Sequence, residues 1–143
     1  MSVTAYTLAS RFLGLKEQPG PGSNPIVLGM LQYAGHWPTS DSVPWCSAFV
    51  WSMAYLLDLP RPQTAALAAR SWLTVGTPVE LADAIQGFDV VVLSRGASPT
   101  AGHVGFYVSH AAGIVTILAG NQGDQVSVQA FSRTRVLGVR RLA

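Results

Sequence analysis

The chain has 143 residues, of which 49% are hydrophobic and only 11% are charged. This composition excludes intrinsic disorder, and the length fits a single domain over residues 1–143. The net charge of +2 comes without any recognised nucleic-acid-binding motif, so we expect no nucleic-acid partner.

The chain up to about residue 76 has the apolar spacing of helices. Apolar residues from Tyr6 to Leu13 predict a first helix that ends at Gly14. A loop over Lys16–Ser23 follows. Asn24 and Pro25 then predict the start of a second helix, because asparagine caps helices well and proline suits the first turn.

An apolar run from Pro44 to Leu57 predicts a buried helix. A membrane span needs about 20 apolar residues, so this shorter run predicts no membrane insertion. The N-terminus lacks a basic segment ahead of an apolar one, so we expect no signal peptide. An Ala-rich run over Thr64–Val75 predicts one more helical segment, which stops at Gly76.

From Phe88 onward the pattern changes to short strands separated by turns. Strands are expected at Phe88–Leu93, His103–Ser109, Ile114–Leu118, Gln125–Phe131 and Val136–Arg141. Because short turns join them, they predict an antiparallel meander. The predicted fold is therefore α+β, with N-terminal helices packed on a C-terminal antiparallel sheet of about five strands.

The only cysteine, Cys46, stands near the start of the predicted buried helix, which excludes an internal disulfide. Asp41 or Ser42 can cap this helix and Pro44 suits its first turn, so the cysteine falls in that turn. Free N–H groups and the helix dipole would lower the pKa of the thiol there and could help to bind an oxyanion. The alternative is a buried cysteine that packs as a small hydrophobic residue.

A thiolate nucleophile needs a base within hydrogen-bond reach, and the chain has three histidines. His103 begins a predicted strand just after the turn over Thr100–Gly102, which lets the backbone approach closely. His110 lies seven positions further and, on an unbroken strand, points to the opposite face. We expect His36 in a loop. The favoured interpretation pairs Cys46 as nucleophile with His103 as base.

A third polar side chain should hold the imidazole in its reactive tautomer. The sequence ILAGNQGD offers Asn121, Gln122 and Asp124 at the end of a predicted strand. We favour Asn121, because the end of this strand lies across from the start of the His103 strand in an antiparallel hairpin. A turn-forming role for the asparagine is the alternative, and Gln122 and Asp124 stay open as the third residue.

Three segments, PWCSAFV, GHVGFYV and LAGNQGDQVSV, resemble in that order the CHAP/NlpC-type cysteine peptidoglycan hydrolases of the papain-like superfamily. The resemblance is strongest to the small bacteriophage endolysin-like group. It implies a papain-like fold and an enzyme whose nucleophile, base and orienting residue fall on Cys46, His103 and Asn121. The pattern departs at Trp45, where NlpC proteins usually have aspartate, and at Asn121, where histidine or glutamate is common.

The resemblance implies that the substrate is the peptide part of bacterial peptidoglycan. Trp45 on a groove wall, Ser47 beside the cysteine and Glu17 near a substrate amine are the expected substrate-binding residues. The charges of Lys16 and Glu17 favour an endopeptidase over an N-acetylmuramoyl-L-alanine amidase. The alternative is a non-catalytic peptidoglycan-binding or phage-particle module on the same fold.

No metal or other cofactor is expected, because side chains at metal-ligand spacing are absent from the sequence. We expect a monomer that is made in the cytoplasm of a host bacterium and acts on the cell wall after release. A phage endolysin, a secreted effector and a particle-borne lysin would have the same sequence features.

Overall fold

A computed structural model of the chain describes residues 3–18, 23–35, 44–63 and 66–143. Within these residues, three α-helices precede a six-stranded antiparallel sheet. The fold is therefore α+β as the sequence predicts, with one strand more than expected. The helices are α1 (Ala5–Ser10), α2 (Pro25–Tyr33) and α3 (Cys46–Leu56).

Side-chain caps set where the first two helices begin. Thr4 and Thr7 satisfy each other's backbone N–H groups in a capping box at the start of α1. The Asn24 side chain accepts from the Ile26 N–H, and Pro25 occupies the first turn of α2. Both signals that the sequence predicts for the second helix are confirmed.

Helix α3 is the buried helix of the fold, since eight of its eleven residues are buried. Trp45 precedes it and provides no side-chain cap. The caps expected from Asp41 or Ser42, and the loop position of His36, lie outside the described residues. No helix in the described ranges is long and apolar enough to cross a bilayer.

The sheet has the order β1-β6-β2-β3-β4-β5. Its strands are β1 (Thr77–Val79), β2 (Asp89–Ser94), β3 (Gly102–Ala111), β4 (Ile114–Ala119), β5 (Ser127–Ser132) and β6 (Val136–Arg141). Strands β2 to β5 form the expected meander. Strand β6 does not continue it, because it returns to the far side and pairs with β2.

Two arginines hold β6 beside β2. The Arg135 guanidinium donates to the Ser94 carbonyl oxygen at the end of β2. At the other end, Arg141 binds the fully buried Asp89 carboxylate at 2.8 and 2.9 Å. These long-range pairs decide the position of β6, and no local pattern in the sequence indicates them.

Two further differences from the sequence prediction concern short segments. Strand β1 pairs with β6 but has only three residues, one of them Pro78, so it lacks an apolar alternation. The Ala-rich run is not an α-helix within its described part. Only Ala69–Thr74 is helical, as a 3₁₀-helix, and residues 64–65 lie outside the described ranges.

Strand β2 is buried on both faces, which explains its continuous apolar sequence. Val90 and Val92 pack with the helices, whereas Val91 and Leu93 belong to a second cluster on the opposite face. Against the helical face, the rings of Phe49 in α3 and Phe106 in β3 meet edge to face at 6.4 Å. This packing brings the start of α3 next to β3.

Candidate active site

Cys46 is the first residue of α3 and is only 5% exposed. Its sulfur faces the backbone N–H groups of Val104 in β3, of Ser47 and of Cys46 itself. Burial has the largest effect and raises the pKa of the thiol, although these N–H groups and the positive charge of Arg95 lower it. The lowered pKa expected from the sequence is therefore wrong, because desolvation outweighs the helix N-terminus.

His103 is brought close to this cysteine. It precedes Val104, whose N–H faces the sulfur, and it is only 1% exposed. The close backbone approach predicted here is confirmed, since a Cβ on Gly102 would lie 2.8 Å from the Leu93 carbonyl oxygen. Both residues of the pair lie in described segments, and no hydrogen bond joins their side chains in this structure.

Gln122 holds the imidazole. Its Oε1 atom lies 2.9 Å from His103 Nε2, and its own amide nitrogen donates to the Ser127 carbonyl oxygen at 2.8 Å. The second bond fixes which end of the amide faces the histidine, so Oε1 accepts and Nε2 carries the proton. His103 Nδ1 is then the nitrogen with a free lone pair, which a base requires.

The structure places Gln122, not Asn121, against the histidine. Asn121 has φ of +59° in the turn after β4, and among described residues its side chain makes no hydrogen bond to His103. This left-handed conformation fits the turn-forming alternative. Asp124 is exposed, and its carbonyl oxygen accepts from the Glu17 N–H. The side chain that contacts the imidazole is therefore one position further along than the favoured prediction.

The imidazole is uncharged at neutral pH. The pKa of His103 is lowered to about 4, mainly by burial and also by the charges of Arg95 and Arg135, whereas the hydrogen bond that His103 donates to Gln122 raises it. Because the thiol pKa is raised and the imidazole pKa is lowered, the resting pair is a thiol and a neutral imidazole. The histidine can accept a proton, and the cysteine has one to give.

Arg95 is a site residue that the sequence analysis missed. It lies in the turn between β2 and β3, and a guanidinium nitrogen is 3.4 Å from His103 Nδ1. The sequence RGASPT, which begins at Arg95, predicts only a turn. The one signal that could have singled it out is a cation in the turn that leads into the histidine strand.

Trp45 is fully buried, so its expected place on a groove wall is wrong. Its indole N–H donates to Glu17 at 2.8 Å, and a Cβ on Gly120 would lie 2.7 Å from its ring. The indole thus fills the space between the early loop, the end of β4 and α3. Glu17 binds this indole, which is a different role from the expected contact with a substrate amine.

Ser47 is also buried, at 1% exposure. Its hydroxyl donates to the Ala66 carbonyl oxygen and accepts from the Trp72 indole N–H. The side chain therefore ties α3 to the neighbouring segment and does not face a groove. Only the backbone N–H of Ser47 belongs to the site.

The prediction that His110 points to the opposite face from His103 is wrong, because their strand partners Val115 and Leu93 belong to the same cluster; His110 is outside the site because it is exposed. A register shift between Tyr107 and Ser109 breaks the alternation of β3, so counting seven positions does not assign a face. His110 is exposed and hydrogen-bonds the Tyr107 hydroxyl. Among the described residues, no group of three or more His, Cys, Asp or Glu side chains could hold a metal ion.

No protein-family model and no curated protein sequence matches the chain. Among solved structures, NlpC1 from Trichomonas vaginalis has a TM-score of 0.52 to this chain at 22% sequence identity. The match covers 96% of this chain and 42% of that chain, so this chain spans less than half of that protein's length. The α+β fold described above is therefore NlpC-like.

Proposed function

We propose that the protein is a cysteine hydrolase that cleaves an amide bond in the peptide part of bacterial peptidoglycan. The observation that carries the proposal is the geometry of three side chains. Cys46 lies at the start of α3, His103 lies beside it with Nδ1 free of its own proton, and Gln122 fixes that tautomer. The NlpC-like fold and the sequence resemblance support the same conclusion.

The proposed reaction has two steps. His103 Nδ1 takes the thiol proton as the Cys46 sulfur attacks the amide carbonyl, and the oxyanion is stabilised by N–H groups at the helix start. The C–N bond then breaks, and the imidazolium gives its proton to the leaving amine. In the second step His103 takes a proton from water as the water attacks the thioester. The C–S bond then breaks to release the acid, and the imidazolium returns its proton to the sulfur.

Within this class we propose an endopeptidase and not an N-acetylmuramoyl-L-alanine amidase. The support is the exposed cation Arg95 at the reacting pair, since stem peptides carry carboxylates near their amide bonds. We also propose that the protein is an endolysin-like monomer, made in a bacterial host and acting on the wall after release. That part of the proposal rests on the sequence resemblance alone.

The test is to incubate purified disaccharide-peptides with the protein and to weigh the products by mass spectrometry. We expect fragments cut within the stem peptide, with one water added for each cut. Release of the intact stem peptide from muramic acid would instead identify an amidase. Unchanged masses, together with sedimentation of the protein with cell walls, would contradict the hydrolase and favour the binding module.

A further inference from the structure

The guanidinium group of Arg95 makes no contact that holds elements of the fold together, among the described residues. The neighbouring arginines are held by main-chain oxygens, since Arg70 binds carbonyls of the β2–β3 turn and Arg135 binds the carbonyl at the end of β2. Arg95 is exposed, and among described residues it forms no ion pair with a carboxylate. Within the described part of the chain, its hydrogen-bond contact is the one to His103 Nδ1 at 3.4 Å.

This contact covers the nitrogen that the proposed reaction needs. Nε2 of His103 donates to Gln122, so Nδ1 is the atom that must take the Cys46 proton. A guanidinium N–H directed at Nδ1 competes for the same lone pair. Arg95 therefore covers the lone pair of His103 Nδ1.

The covering contact is weak and easily exchanged. A separation of 3.4 Å is longer than an ordinary hydrogen bond from nitrogen, and the acceptor is an uncharged imidazole. A carboxylate would offer the Arg95 guanidinium two charge-assisted hydrogen bonds in a planar arrangement. Because the charge of Arg95 acts on both Cys46 and His103, a carboxylate bound to it would lie close to the reacting carbonyl.

We propose that Arg95 is the carboxylate receptor of this site, and that a substrate carboxylate draws its guanidinium away from His103 Nδ1 and so uncovers the base. The proposal rests on the proposed function and narrows the substrate class to amides with a free carboxylate close to the scissile bond. Arg95 thus selects the substrate and couples its binding to the release of His103.

The first experiment compares two alkylating reagents that differ by one carboxylate. Iodoacetate and iodoacetamide both form an S–C bond to Cys46 with loss of iodide and of the thiol proton. The measured quantity is the ratio of their second-order rate constants at one pH and low salt. We expect Arg95→Gln to lower the iodoacetate-to-iodoacetamide ratio about tenfold, the loss typical of one charged hydrogen bond, and Arg95→Lys to keep part of it.

Arg11→Gln is the matched control, because it removes the same charge from an exposed side chain at the end of α1. It should leave the ratio unchanged. An unchanged ratio in Arg95→Gln, or an equal fall in Arg11→Gln, would overturn the proposal. Thermal unfolding of each variant shows that it is folded, and Arg95→Lys carries the test if the glutamine variant is not.

The second experiment separates this proposal from the proposed function. Matched stem peptides are compared in which the carboxylate nearest the scissile bond is either free or amidated. We expect the wild type to prefer the free carboxylate in kcat/KM, and Arg95→Gln to lose about tenfold of that preference. Equal kcat/KM values in the wild type would overturn the role of Arg95 and leave the hydrolase standing. A carboxylate-dependent alkylation ratio without any hydrolysis would overturn the hydrolase alone.

Discussion

The protonation state of the Cys46–His103 pair decides how the site would react. Both side chains are buried and uncharged, so the resting pair is a thiol and a neutral imidazole and not a thiolate and an imidazolium. Proton transfer from sulfur to Nδ1 must therefore accompany attack on the substrate. The hydrogen bond that His103 Nε2 donates to Gln122 Oε1 matters in this scheme, because it opposes the effect of burial on the pKa and stabilises the imidazolium as it forms.

Burial of the histidine predicts a pH dependence of stability. The pKa of the His103 imidazole is 6.5 in the unfolded chain and about 4 in the folded protein. Between these two pKa values the unfolded chain binds more protons than the folded protein. The free energy of unfolding is therefore highest above pH 6.5 and falls as the pH falls toward 4. We expect a loss of about 3 kcal/mol in the free energy of unfolding, measured by urea denaturation.

Carboxyl groups titrate near the lower end of the same range, so variants are needed to isolate the histidine. His103→Gln should lose most of this pH dependence, whereas His110→Gln, at an exposed position, should keep it. Superimposable pH profiles for wild type and His103→Gln would contradict the lowered pKa.

Gln122 is expected to act as a positioning residue. Gln122→Ala removes the acceptor that selects the tautomer, so kcat on wall fragments should fall about 10- to 100-fold with little change in KM. Gln122→Glu should restore part of the rate and move the acidic limb of the kcat profile to higher pH, because a carboxylate raises the pKa of the imidazole.

Asn121→Gly is the matched comparison, since glycine accepts the positive φ at that position. It should leave turnover within a few-fold of the wild type. A larger loss in Asn121→Gly than in Gln122→Ala would return the orienting role to Asn121.

At the residue scale, the sequence predicted Cys46 and His103 as neighbours, favoured Asn121 with Gln122 as an open alternative for the third member, and missed the arginine. Cys46 and His103 stand at the starts of elements with clear apolar patterns, so their positions follow from those elements. Gln122 and Arg95 lie in turns, where the direction of a side chain depends on backbone dihedrals such as the positive φ of Asn121. The apolar periodicity of the sequence gives no information about the backbone dihedral angles of turns.

At the scale of elements, the site is formed where the starts of α3 and β3 lie close to the turn after β4. The start of α3 supplies the cysteine, the start of β3 supplies the histidine, and the turn after β4 supplies the glutamine. Trp45 packs between α3 and the end of β4, and its indole N–H donates to Glu17. Because Trp45 directly precedes Cys46, the contact with Glu17 helps to fix the position of the cysteine.

This arrangement predicts a structural role for Glu17. Glu17→Ala leaves the buried Trp45 N–H without its acceptor, so the free energy of unfolding should fall by about 1–3 kcal/mol. Glu17→Gln keeps an oxygen acceptor and should lose less, and Lys16→Ala is the control in the same loop. Chemical denaturation measures all three. An Ala variant with unchanged stability but a raised KM would instead support the substrate contact expected from the sequence.

The elements themselves were predictable where local chemistry decides them. The cap at Asn24, the buried run of α3 and the four strands of the meander each follow from a short stretch of sequence. Strand β1 and the return of β6 were not predictable in this way. They depend on pairs such as Asp89–Arg141, which are 52 positions apart in the chain.

At the scale of the whole molecule, the helices and the sheet place the reacting pair where α3 meets β3. Cys46 belongs to the cluster between the helices and the sheet, whereas the His103 ring contacts Phe131, and both side chains are buried. The same architecture occurs in NlpC1 from Trichomonas vaginalis at 22% identity, so the likeness establishes the fold alone. The activity has to be tested on this chain's own residues.

The most direct test of the central claim is the rate at which Cys46→Ala hydrolyses purified wall fragments. Alanine removes the sulfur and suits a helix, so the thermal unfolding midpoint should stay close to that of the wild type. The account predicts that the wild type releases stem-peptide fragments and that the folded variant releases none above background. Retention of more than a few per cent of the wild-type rate by the pure, folded variant would contradict the assignment of Cys46 as the nucleophile.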